Sequence, residues 1–396
     1  MLSFLDFLKE EASIEGAKLK HIHHAEDRPL LHGHPGFEHA AGALEKAHGH
    51  MSAGESSEDL SMKYDGSPAV VFGHHPETGK FFVASKSAFN KNPKINYTAK
   101  DIDANHGHAP GLANKLKAAL KHLPKVAPKQ GVYQGDIMHT PEDQKHNKDG
   151  SVSFTPNTIT YTAKGKQAEA IKKSKLGVVV HTKYEGKTLD DMSASHKVDY
   201  KSFGSHPDVY HHGAEHDLEK INYPKKDQAE FEKHMAAARA IHKRGGTKMY
   251  QAVQPHMGEN NHLVTYINQT VRTDEKPSVA GLKKHIADKY QKMADKVKTD
   301  NAKNQKLGQG QQHVDHVTEH SKHYEDLLKM HGHLQAAKNV LVKNLESHEG
   351  GYEHHISGAK SKPEGFVVSH EHQGTTEPTK LVNRAEFAKQ NLLKVR

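Results

Sequence analysis

Met62-Lys63-Tyr64-Asp65-Gly66-Ser67-Pro68 runs directly into Ala69-Val70-Val71-Phe72, and this stretch decides how the chain reads. A lysine precedes an Asp-Gly turn, and the turn precedes an apolar run of strand length. Gly73 to Gly79 supplies a second turn, and Lys80-Phe81-Phe82-Val83-Ala84-Ser85 a second apolar run. The segment from Leu60 to Ser87 therefore predicts strand–turn–strand.

Outward from this hairpin, Leu112, Leu116, Ala119, Leu120 and Leu123 recur at helical spacing, and Pro124 closes that helix. Gly131 to Met138, Thr158 to Thr162 and Leu176 to Thr182 predict three further strands. From about 205 to 350 the chain becomes polar and helical, as in Phe231, Met235, Ala238 and Ile241. Leu282 to Val297 and Val314 to Leu345 predict two more helices, with a break at Gly308-Gln309-Gly310-Gln311. After Gly350-Gly351 strands return, at Gly365 to Ser369 and Thr379 to Val382. Upstream, residues 1–59 predict a helical segment, with an amphipathic helix at Met1–Leu8 and another after the turn-rich His32-Gly33-His34-Pro35-Gly36. The expected organisation is an N-terminal helical segment (1–59), an α+β domain split over 60–204 and 351–396, and a helical insertion (205–350).

With 34% hydrophobic and 26% charged residues the chain is polar, but recurrent short apolar runs predict a folded protein with generous loops. No run approaches the ~20 apolar residues needed to span a bilayer, and Met1–Leu8 lacks the features of a signal peptide. The chain has no cysteine, which excludes disulfides and thiol catalysis. These features predict a cytoplasmic protein. The net charge of +8 fits a polyanionic partner such as nucleic acid. The 37 histidines are scattered over the whole length, a habit of composition more than a sign of one metal site.

Lys63 is placed for covalent catalysis. A deprotonated lysine amine can attack the α-phosphate of a nucleoside triphosphate, and desolvation or neighbouring cations lower its pKa for that purpose. Gly66 is expected to let backbone approach the nucleotide closely. The same residues also suit an exposed lysine in an ordinary turn, so the weight rests on the carboxylates and strands downstream of it. Gly135-Asp136 places a carboxylate after a glycine at the end of an apolar strand, and Val178-Val179-Val180-His181-Thr182 is a buried strand with a polar end. Glu364-Gly365-Phe366-Val367 again pairs a carboxylate with a glycine and a strand, and Lys380 stands in the last strand.

This series resembles the ordered motifs of the covalent nucleotidyltransferase superfamily: ATP-dependent DNA ligases, RNA ligases and mRNA capping enzymes. Lys63-Tyr64-Asp65-Gly66 matches the nucleophile motif K-x-D-G. Gly135-Asp136 resembles the third motif, with Asp for the usual Glu. His181-Thr182 stands where Phe-Asp is usual, and Glu364-Gly365-Phe366-Val367 closely matches the fourth motif. Lys380 is the fifth-motif candidate, although Val382 replaces a second lysine. The chain also resembles ligase-like proteins of large tailed bacteriophages, through Glu26-Asp27 and the run Gly79 to Ser87.

The resemblance implies a ligase-type nucleotidyltransferase fold, with ATP-grasp-like antiparallel sheets and a helical insertion. The chain ends sixteen residues after Lys380, so no C-terminal OB domain is expected, which favours RNA ligase over DNA ligase. It implies that Lys63 takes up AMP from ATP and that a lysyl-AMP intermediate then joins 5′-phosphate to 3′-hydroxyl ends. Mg²⁺, with Mn²⁺ as a substitute, would be held by Glu364 and Asp136. Met62, Asp65, Gly66, His181 and the ribose-facing Asp136 would line the nucleotide, while Lys86 and Lys380 would contact phosphates. Lysines of the insertion, including Lys283-Lys284, Lys296 and Lys298, would bind the strand, in the host cytoplasm if the source is a phage. The rival expectations are a degenerate ligase fold that binds nucleic acid without sealing it, and a nucleotidyltransferase acting on another substrate.

Two patterns are set aside. Gly73 to Lys80 has five residues between its glycines where a P-loop needs four, and Phe81 replaces the Ser or Thr. The other is the series His313, His316, His320 and His323, of which the last three are expected to share a helical face that could bind zinc, but a solvated stripe is favoured.

Overall fold

In the computed structural model, which describes residues 22–372 and 375–384, the Lys63 stretch ends strand β1 (Leu60–Lys63). The chain then enters β2 (Ala69–His74) and turns back as β3 (Phe81–Ala84). The later strands are β4 (Val132–His139), β5 (Lys145–His146), β6 (Val152–Phe154), β7 (Thr160–Ala163), β8 (Leu176–Glu185), β9 (Ser193–Ser195) and β10 (Val209–Gly213), then β11 (Glu353–Ile356), β12 (Ala359–Lys360), β13 (Gly365–His372) and β14 (Thr375–Leu381). The helices are α1 (Arg28–Ala53), α2 (Ala99–His106), α3 (Pro110–His122), α4 (Gly165–Lys173), α5 (Lys225–Val253), α6 (His262–Thr273), α7 (Val279–Ala294), α8 (Asp300–Glu319) and α9 (Ser321–Leu345). The helix expected at Met1–Leu8 lies outside the described residues. The protein is α+β, as the sequence predicts, with three sheets whose pairings are antiparallel except that of β8 with β10. No described helix is long and apolar enough to cross a membrane.

The chain divides into two compact units. One holds 56–217 and 348–367; the other holds 23–55, 218–347 and the chain from 368. The division falls inside β13, so the region expected to form one split domain contributes to both units.

The first unit is built on a sheet of order β10-β8-β4-β2-β3, with β9 added to β8. Strand alternation sends successive side chains to opposite faces. Val70, Phe72, Val83, Ile137, Val178 and Val180 thus pack in one core with Leu116, Ala119 and Leu123. Val71, Phe82, Val132 and Tyr184 pack in another with Phe89, Leu189 and Met192. Each such side chain, fully buried, contributes roughly 1.5–3 kcal/mol. With both faces covered, β2, β4 and β8 read as near-continuous apolar runs rather than alternating ones. The supposed P-loop is the hairpin turn between β2 and β3, joining antiparallel strands instead of a strand to a helix. A second sheet, of order β12-β11-β7-β6-β5, flanks the Lys63 turn through β7.

The second unit is helical. α5 packs along α9, and α1 lies against both. The break expected at Gly308 to Gln311 does not occur: these residues lie inside α8. Gly310 serves packing instead. A Cβ there would sit 2.7 Å from the Tyr290 Cβ, so the missing side chain lets α7 and α8 approach closely. The histidine stripe is likewise not one helical face, because α8 ends at Glu319 and α9 starts at Ser321, with His320 between them.

Candidate active site

Lys63 lies at the exit of β1. Alternation along Leu60–Lys63 buries Leu60 and Met62 and turns Ser61 and Lys63 toward half-exposed positions. Its ammonium donates to both oxygens of Glu364, at 2.6 Å each. These residues are 301 apart in sequence. Glu364 stands immediately before β13, where Gly365 takes φ +153°. The carboxylate is 14% exposed and the lysine side chain 31%.

Burial is the strongest single influence on Lys63 and acts to lower its pKa. The Glu364 carboxylate, by charge and hydrogen bond, with Asp136 and Asp65 behind it, outweighs burial and holds the value above the ordinary 10.5. This corrects the expectation of a depressed lysine pKa. The neighbours are anions, not cations, and they keep the ammonium charged.

Asp136 and His181 mark the sheet's contribution. Asp136 is the one half-exposed position of β4, and His181 is the first in β8, after five buried residues. The ladder between these strands pairs Gln134 with Thr182 and Gly135 with Val180, so His181 is the extra residue of a β-bulge. Bulges re-aim a side chain out of the ladder. His181 Nε2 lies 3.6 Å from the Asp136 carboxylate, and its Nδ1 is 2.8 Å from the Thr182 hydroxyl. The neighbouring His196 is pushed down to about 4, chiefly by burial. His181 and His196 also line a small cleft with Ser61 and Glu215.

The rest of the K-x-D-G motif does structural work. Asp65 is buried, and its carboxylate accepts from Asn157 Nδ2 at 2.8 Å and from the N–H groups of Thr158 and Ile159 at 2.6 and 2.9 Å. Its own N–H donates to the Tyr161 hydroxyl at 2.7 Å. Asp65 thus clamps the turn before β7 and fixes the path beyond Lys63. Gly66 packs closely on β4: an added Cβ would lie 2.4 Å from the Asp136 Cβ. Met62 is buried, and its N–H donates to Ala214 O at 2.7 Å. The Ser67–Pro68 peptide is cis.

Lys86 starts a short 3-10 turn after β3 and is half-buried; no described carboxylate forms an ion pair with it. Ala84, two residues earlier, pairs with Val71, itself two residues from Ala69, which pairs with Asp136. Lys380 lies in β14, within the second unit, where its N–H donates to His23 O at 2.9 Å. The structure therefore gathers Lys63, Asp65, Gly66, Asp136, His181 and Glu364 in one unit. The clamp residues Asn157 and Tyr161 were not singled out from sequence; their one signal is the turn-forming Pro156-Asn157 ahead of the alternating run Thr158 to Ala163.

The fold and site define an α+β protein with a lysine–carboxylate centre beside a bulged sheet. The chain belongs to a family of unknown function, DUF6267, whose model matches residues 19–396. No curated protein and no solved structure matches it.

Proposed function

We propose that the protein is a covalent nucleotidyltransferase of the polynucleotide-ligase kind, with Lys63 as the nucleophile. One observation carries this reading. Residues picked out separately along the sequence lie together: Lys63 holds Glu364, the Asp136 charge acts on Lys63, and His181 stands 3.6 Å from Asp136.

The reaction sets a clear demand on Lys63. Its ammonium must lose a proton before the Nζ lone pair can attack the α-phosphorus of ATP. The P–N bond then forms as the bond to pyrophosphate breaks. Glu364 is placed to accept that proton or pass it to solvent. Glu364 and Asp136 also supply the hard oxygens that suit Mg²⁺, which stabilises charge developing on phosphate. A cation on Glu364 would compete with the ammonium for the same oxygens and weaken the interaction that raises the lysine pKa. Lys86 is the nearby cation for phosphate, and RNA ends are the favoured acceptor. The lysines at Lys283, Lys284, Lys296 and Lys298 would give the strand a basic surface whose binding weakens steeply with salt.

The test is intact-mass measurement after incubation with ATP and Mg²⁺. A nucleotidyl adduct is expected on the wild type and absent from Lys63→Ala; an equal adduct on Lys63→Ala refutes the assignment. A second reading has one observation in its favour: the ammonium holds both Glu364 oxygens and is kept charged. A fold that binds nucleic acid without transfer would give no adduct with ATP, GTP or NAD, yet still show salt-dependent RNA binding.

A further inference from the structure

Within the second unit, far along the sequence from Lys63, three histidines converge. We propose that His256, His262 and His313 form a binding site for a borderline divalent transition metal, of which Zn²⁺ is the natural occupant. One ring nitrogen from each lies within 4.8 Å of those of the others. His256 closes the short turn after α5, His262 opens α6, and His313 projects from α8.

Three features separate this group from a chance stripe on a His-rich surface. First, it is internal: His256 is fully buried and His262 is 4% exposed. Second, it is unsatisfied: His262 Nδ1 is buried with no hydrogen-bond partner, which costs free energy that a metal bond would recover. Third, the ligand rings are already oriented. His256 Nε2 faces His313 Nδ1 at 2.9 Å, while its other nitrogen, Nδ1, is held by the Tyr324 hydroxyl at 2.5 Å. A metal-bound histidine usually anchors its second nitrogen in this way, fixing tautomer and ring angle.

The donor chemistry selects the ion. Three imidazoles and no carboxylate suit Zn²⁺, Co²⁺, Ni²⁺ or Cu²⁺ and disfavour Mg²⁺ and Ca²⁺. Tetrahedral Zn–N bonds of about 2.0–2.1 Å put ligand nitrogens roughly 3.4 Å apart, so His256 and His313 need separate by only about half an ångström. The cation replaces the proton these two rings share. His316 is adjacent, its ring 5.5 Å from that of His256, but its Nε2 is tied to Ala252 O at 2.8 Å. That leaves the fourth position to water. Burial pushes His256 down to about 3 and His262 to about 4, so both rings offer lone pairs at neutral pH. The site would staple the turn between α5 and α6 onto α8.

The experiment uses the full chain, stripped with chelator and titrated with Co²⁺ and then Zn²⁺. One equivalent of Co²⁺ should bind with the intense visible absorption of tetrahedral coordination. Zn²⁺ should displace it and raise Tm. His262→Ala and His313→Ala should each weaken binding by about tenfold or more. His313 is half-exposed, so His313→Ala keeps the test readable if His262→Ala fails to fold. Replacing His320 and His323 together should leave the stoichiometric site intact. The proposal is overturned if the folded wild type takes up no stoichiometric metal. It is equally overturned if folded His313→Ala binds as tightly as wild type, which would move the metal to His34, Glu38 and His242 or to exposed histidines.

Discussion

Two lysine–glutamate pairs in this molecule share a contact distance and little else. Lys63 meets Glu364 at 2.6 Å with 31% and 14% of the side chains exposed. Lys338 meets Glu26 at 2.6 Å with both side chains wholly buried. Around the second pair, Asp27 takes His331 Nε2 at 3.0 Å and Arg384 at 2.7 Å, so the buried charges are balanced on several sides. The surroundings then set opposite proton affinities. Burial leads in lowering the Lys338 pKa despite the Glu26 charge, whereas the carboxylates around Lys63 overcome burial and raise it. An open pair can exchange its partner for a ligand; a sealed pair can only hold or break.

The largest effect that would sharpen this contrast belongs to the sealed pair. Removing one member strands the other charge in the interior, which costs about 3–5 kcal/mol. Lys338→Ala should therefore lower the urea midpoint sharply, and the double change Glu26→Leu with Lys338→Met should recover most of the loss. If Lys338→Ala were nearly neutral, the sealed pair would be no structural fixture and the contrast would fail.

The pH dependence separates the pairs next. Glu26 has burial raising its pKa, but Lys338 and neighbouring positive charges bring it below the ordinary 4.5; Asp27, held by Arg384 and His331, likewise falls below 3.8. Depressed carboxylates contribute stability in full above those ordinary values and lose it as pH falls through the lower folded ones. Lys63 is raised above 10.5, so its contribution is complete below that value and drains as pH rises through the folded one. Denaturation followed from pH 3 to 11 should show the acid loss suppressed in the Glu26–Lys338 double variant. The alkaline loss should be suppressed in Lys63→Met.

The smallest effect is expected at the open pair. Glu364→Gln should cost less stability than Lys338→Ala, because the Lys63 side chain keeps 31% of its surface in solvent and the new amide oxygen can still accept from its ammonium. It removes the chief influence that raises the Lys63 pKa, so the amine should react faster with an acylating reagent at pH 8, read by peptide mapping. A large destabilisation with unchanged Lys63 reactivity would erase the distinction between the two pairs.

Much of the first unit was legible because both faces of its sheet are covered. The runs at Val70-Val71-Phe72, Val132 to Met138 and Leu176 to Val180 are apolar enough to stand out, and each became a strand. β10, which falls in the stretch expected to be helical, was not foreseen, nor were the short strands β5, β6, β9 and β12. At two or three residues they carry little hydrophobic signal and are held by pairing to neighbours. Gly308 and Gly310 misled for a related reason: a glycine removes a side chain in every context, and only the position of Tyr290 tells a break from a close helix contact. In the site, Lys63, Asp136 and Glu364 were legible as chemistry, because charged groups beside apolar strands are conspicuous. Asp65 and Gly66 were legible as a motif but not in their contacts within the fold. Their partners, the 157–159 turn and β4, are brought in by folding from about seventy to ninety residues away.

The bulge at His181 has a consequence for how this sequence can vary. Removing one residue from the middle of a strand ordinarily slips everything beyond it and exchanges inside for outside. At His181 the ladder is already in step on both sides, with Gln134 opposite Thr182 and Gly135 opposite Val180. A chain shortened by this one residue would keep Val178, Val180 and Tyr184 facing their present neighbours. It would lose only the imidazole beside Asp136. The bulge is a detachable letter in an otherwise fixed word, so lineages of this fold can gain or shed the group without rebuilding the sheet.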